Sequence, residues 1–138
     1  MSYTTRLRPP KPHCEACGSW IEDVTGPDPT YNLSPIFHLA LTGETETANS
    51  IDEVRTVLFG PRLERPWGLR VLDEKTGRDS LELLTPAAWV RMADPALRPA
   101  FLKLQPENGW GTFEGAIKVI LQMETLAKQF PGHVWWIR

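Results

Sequence analysis

The clearest periodicity in the chain lies near its C-terminal end. Phe113, Ala116, Ile117, Ile120, Leu121, Leu126, Ala127 and Phe130 recur close to the helical period, with Lys118, Gln122, Thr125, Lys128 and Gln129 opposite. The spacing predicts one long helix from Thr112 to about Gln129, stopped by Pro131-Gly132. His133 to Arg138 follows, dense in strand formers, and predicts a terminal strand. Shorter helices are predicted upstream. Ser34-Pro35 opens one that carries Ile36, Phe37, Leu39, Ala40 and Leu41 and stops at Gly43. Ser50-Ile51-Asp52-Glu53 matches a capping box ahead of Val54, Val57 and Leu58. Leu81, Leu84, Ala88, Trp89 and Met92 mark a further helical stretch, with either a kink at Pro86 or two short helices meeting there. Asp94-Pro95 opens a fourth that ends near Leu104. Leu69-Arg70-Val71-Leu72 reads as a brief strand or a loop wall.

These elements predict a predominantly helical α+β fold: several short helices, one long C-terminal helix and a small sheet that includes the C-terminal strand. Residues 1–12 end in Pro9-Pro10-Lys11-Pro12, which favours an extended, flexible arm over a helix. Residues 13–138 are then expected to form a single globular domain.

Composition narrows the class. With 138 residues, 41% hydrophobic and 23% charged, the chain is neither fibrous nor disordered throughout. A net charge of −2 argues against general nucleic-acid binding. No run approaches the ~20 apolar residues of a membrane span, and no apolar segment follows the basic arm. A cytoplasmic protein is expected, and there two cysteines read as thiols or metal ligands before a disulfide. The 6 Trp pose a separate choice between a heavy core and an aromatic binding surface.

Two sites carry chemistry. Cys14-Glu15-Ala16-Cys17-Gly18 is half of a zinc knuckle, in which both thiolates converge on one ion and the glycine turns the chain back. His38, on the helix that follows, is the best placed further ligand, so the candidate set is Cys14, Cys17 and His38 with zinc as the cofactor. Glu15, or the same pair from a second chain, would complete a shell differently. Two reduced thiols in a turn explain the pair equally well, and a thioredoxin-like role fits less well because no strand precedes it. The second site is Asn108-Gly109-Trp110-Gly111 with Phe113-Glu114-Gly115. Trp110 stands before the long helix, either as a core plug, the commoner fate of such a residue, or as one wall of a pocket with Asn108 and Glu114. No phosphate loop, nucleophile elbow or His-Glu-x-x-His stretch is present.

The order Cys14-x-x-Cys17-Gly18, then Tyr31-Asn32-Leu33-Ser34-Pro35, then the Asn108-Gly109-Trp110-Gly111 block resembles a group of small, uncharacterised bacteriophage and prophage proteins of actinobacterial phages. This chain departs from that pattern over residues 42–78, which are longer and richer in proline. The resemblance implies a phage product in the cytoplasm of the bacterial host, and it implies that Asn32 meets Trp110 and Glu114 in space. Asn32 would then bond across to the start of the long helix. The expected function is a non-catalytic binding protein that acts on a host or phage macromolecule. Expected partners are a host bacterial or phage protein and a second copy of the chain. The alternatives are a ligand-binding protein or enzyme with a pocket at Asn32, Trp110 and Glu114, or a zinc-stabilised interaction module.

Overall fold

The computed structural model describes residues 2–44 and 66–138, so the capping box at Ser50 lies outside the described residues. Three antiparallel strands, β1 (Thr5–Arg8), β2 (Val24–Thr25) and β3 (Val134–Ile137), form one sheet in the order β2-β1-β3. Among the described residues four α-helices accompany it: α1 (Ser34–Thr42), α2 (Gly77–Pro86), α3 (Arg98–Lys103) and α4 (Phe113–Gln129). The fold is α+β, with the long helix and the terminal strand where the periodicity predicts them.

The N-terminal segment is not the flexible arm expected over residues 1–12. Residues 5–8 form the central strand of the sheet: Leu7 pairs with Val24 on one side and Trp135 on the other. Tyr3, Thr5 and Leu7 are fully buried, while Arg6 and Arg8 point outward. Alternation by two along a strand produces that split. The prolines begin only at Pro9, after pairing has ended. The outward arginines meet acids, Arg6 with Asp28 at 2.9 Å and Arg8 with Asp23 at 3.2 Å. The guanidinium groups of Arg8 and Arg138 also lie 4.4 and 5.0 Å from the centre of the Trp136 ring.

Beyond β3 the sheet edge is covered. The Glu74 amide donates to the Trp135 carbonyl (2.9 Å), Trp135 N–H to the Lys75 carbonyl (2.8 Å), and Ile137 N–H to Asp73 Oδ1 (2.9 Å). Unpaired edges invite association, and this one is closed by its own chain.

Helix α1 lies in the middle of the core, with Ile36 to Leu41 all buried. Ser34 is its first residue and not its cap. Its hydroxyl donates to the Tyr31 carbonyl (2.6 Å) and sits 2.7 Å from the Tyr3 hydroxyl, which burial pushes up to about 12. At the other end, Arg91 Nη1 donates to the Ala40 carbonyl at 2.8 Å, satisfying an orphan acceptor of the last turn. Residues 68–72 form a 3-10 turn against α1 instead of the brief strand considered above. After Pro86 the chain runs into a π-helical turn, Ala87–Arg91, so of the two expected outcomes it is two short helices that meet there. Helix α4 packs along α2 and buries Ala116, Ile120, Met123 and Ala127. Among the described residues no helix is long and apolar enough to cross a membrane.

Candidate functional site

The loop before α4 is built to hold its shape. Thr112 caps the helix by accepting from Gly115 N–H at 3.0 Å, and Phe113 N–H donates to Gln105 Oε1 at 2.9 Å. Phe113 then stacks on Phe101 with ring centres 4.9 Å apart, both fully buried. Upstream, Trp110 N–H donates to Asn108 Oδ1 at 3.0 Å, an Asx turn that fixes the tip. Gly111 has φ 121°, and a Cβ there would stand 2.8 Å from Leu33 Cδ2 and 3.1 Å from Thr30 Cγ2. Only glycine satisfies both that backbone and that contact. The loop is therefore seated on the Thr30–Leu33 turn.

Trp110 is not a core plug. It stands 63% exposed at the tip, because Phe113 takes the buried position that the aromatic block offers. The seating brings the loop beside the turn that carries Asn32. Asn32 is exposed, but its side-chain amide donates to Thr30 Oγ1 (3.2 Å) in its own turn and not across to α4. Glu114 accepts from Arg98 at 2.9 Å, and both side chains are more than half exposed. Such an ion pair contributes at most ~1 kcal/mol and serves orientation more than stability.

The cysteine segment is a closed hairpin. Gly18 N–H donates to the Cys14 carbonyl and Cys14 N–H to the Ser19 carbonyl, both at 2.8 Å, with His13 and Trp20 paired across the base. Gly18 turns the chain back at φ 71°. Hydrogen bonds from the Ser19 hydroxyl and amide, then from the Cys14 thiol, pull the exposed Cys17 thiol down to about 7. A shallow cavity of about 450 Å3, lined by Pro9, Lys11, His13, Cys14, Ile21 and His133, adjoins the hairpin.

His38 does not join the cysteines. It is buried on α1, stacked on Trp67 with ring centres 3.9 Å apart, accepting from Gly68 N–H at Nδ1 (3.3 Å) and 3.5 Å from Glu44 Oε2 through Nε2. Packing on the core side of the helix takes this ring out of reach of the hairpin. Among the described residues no three His, Cys, Asp or Glu side chains form a group that could hold a metal ion. The knuckle thus fits zinc with two donors, and the described residues around it do not supply the rest.

No family model, curated protein or solved structure matches this chain.

A further arrangement was not legible in the sequence. Trp89 sits on the π-helical turn, 60% exposed, and its indole N–H donates to both carboxylate oxygens of Glu124 at 3.0 and 3.1 Å. Glu124 lies on α4 and is only 4% exposed. Burial pushes its acid up, yet hydrogen bonds from Trp89, Thr85 and Lys128 outweigh that and hold it below the usual carboxylate range. The residue occupies a helical core position, so periodicity reads it as an exception. A glutamate among apolar neighbours, with an indole within reach, was the available signal. Because the folded-state pKa is depressed, Glu124 stabilises the fold above the ordinary carboxylate pKa, and that contribution is lost as pH falls through the lowered value. Glu124→Gln is therefore expected to lower stability at neutral pH and to flatten the loss of stability below about pH 4.5, read by thermal unfolding against pH. An unchanged acid limb would show that the carboxylate does not carry this linkage.

Proposed function

We propose that the protein is a non-catalytic binding protein, phage-encoded and acting in the cytoplasm of its bacterial host, that engages a host or phage protein through the surface around Trp110. The observation that carries this reading is the exposed indole on a loop fixed by an Asx turn and a glycine-dependent seat. A tryptophan held in one conformation contributes much contact area at little ordering cost, which is why such residues anchor interfaces. The polar neighbours support presentation over proton transfer. Asn108 holds the Trp110 amide, Asn32 bonds Thr30, and Glu114 pairs with Arg98. The phage setting rests on the motif resemblance.

The test compares Trp110→Ala with the unaltered protein as baits in bacterial lysate, followed by affinity measurement on the captured protein. Loss of an anchoring tryptophan is expected to weaken binding by about 30-fold, roughly 2 kcal/mol, with the melting temperature unchanged because the side chain is exposed. Equal affinity for both baits, or no capture above background by the unaltered protein, overturns the proposal. A variant that unfolds would show that Trp110 holds the structure instead.

A further inference from the structure

A different part of the molecule carries a second site, independent of the Trp110 reading. We propose that Cys14 and Cys17 form half of a tetrathiolate zinc site that is completed by the same two cysteines of a second copy of this chain.

The half-site is preformed. Two backbone hydrogen bonds close the hairpin and Gly18 turns the chain back at φ 71°, so Cys14 and Cys17 stand on one tight turn. Thiolate pairs at this spacing select zinc among the common divalent ions, and a structural zinc takes four ligands.

The chain cannot supply those four from its softer donors. It holds 2 Cys and 3 His in all. His38 is committed inside the core, His13 stacks on Trp20 at 3.9 Å, and His133 packs on Phe130 at 4.9 Å. Among the described residues no third His, Cys, Asp or Glu joins the cysteine pair in a metal-holding group, so the two remaining donors come from another molecule. Twofold symmetry supplies them with no further residue type, since the same patch meets itself.

The surroundings suit a second copy. Cys17 is exposed, and every residue from Glu15 to Asp23 is open to solvent. Trp20, 73% exposed, and Ile21 stand on the same hairpin and offer apolar surface for a symmetric partner to cover. Lys11 and Glu15, paired with each other beside the knuckle, present both charges, so a twofold mate meets opposite sign in either direction.

The test uses the full chain, reduced and freed of metal, titrated with cobalt(II) and then zinc(II). Expected are saturation at one metal per two chains, a sulfur-to-cobalt charge-transfer band with intense tetrahedral ligand-field bands, displacement of cobalt by zinc, and conversion of monomer to dimer in sedimentation. Cys14→Ser and Cys17→Ser should each abolish the band and the dimer, while their metal-free melting curves match the unaltered protein because the hairpin is exposed. His13→Ala and His133→Ala should keep the stoichiometry. Saturation at one metal per chain, loss of metal in either histidine variant, metal binding without dimerisation, or no binding at micromolar metal would each overturn the proposal.

Discussion

Deleting residues 1–8 is expected to leave the protein unable to fold. The segment buries Tyr3, Thr5 and Leu7 completely and bonds to strands on both sides. Burying two large side chains stabilises by roughly 1.5–3 kcal/mol each, and every lost ladder bond removes about 1 kcal/mol more. Those losses approach the whole net stability of a domain, about 5–15 kcal/mol. Far-UV circular dichroism and thermal unfolding read the outcome directly. Leu7→Asp should act in the same direction from one position, by placing an unpaired charge in the core. A truncated chain that melts cooperatively near the unaltered temperature would return these residues to the status of an arm.

Trp135→Ala should have the next largest effect. Trp135 is the largest fully buried side chain, 1% exposed, on the inner face of β3, and its indole N–H donates to the buried Ser80 hydroxyl at 3.0 Å. Removing it leaves a cavity beside a Ser80 hydroxyl that keeps only its bond to the Gly77 carbonyl, at a cost of about 3–5 kcal/mol. For a chain of this size that corresponds to a fall of about 10–20 °C in melting temperature. The adjacent Trp136 is the control. It faces outward between Arg8 and Arg138, so Trp136→Ala forfeits cation–π contacts worth about 1 kcal/mol or less apiece. Calorimetry on the pair should separate them clearly. Equal losses would mean that the two faces of the strand are not distinct.

What the sequence revealed follows the range of the forces involved. Helix α4 was legible because its signal is local: a periodic apolar stripe, a threonine cap and a proline-glycine stop within about twenty residues of one another. The Trp110 loop was legible as a motif for a similar reason, since a backbone at φ 121° leaves a glycine in the sequence. Whether Trp110 or Phe113 entered the core was not, because that depends on the seat of the loop on Leu33, which lies far off along the chain. Strand β1 escaped notice because Thr5-Arg6-Leu7-Arg8 carries one large apolar residue, and its partners lie 19 and 128 positions away (Arg6 with Thr25, Leu7 with Trp135). His38 looked available beside a cysteine pair. Only the packing of Trp67 and Gly68 over α1 shows that its ring is occupied. The tryptophans divide likewise: Trp67 and Trp135 are buried, Trp136 is half-covered by arginines, and Trp20, Trp89 and Trp110 are exposed.

The pairing of β1 with β3 also constrains synthesis. Thr5 to Arg8 leave the ribosome well before their partners, Val134 to Ile137. Until then Leu7 lacks the Trp135 side of its ladder, and the 68–72 turn lacks the strand that packs against it. Nascent chains halted before residue 134 should remain protease-sensitive however many helices they contain. Protection should appear abruptly, over a few residues, once β3 can reach back and close the sheet.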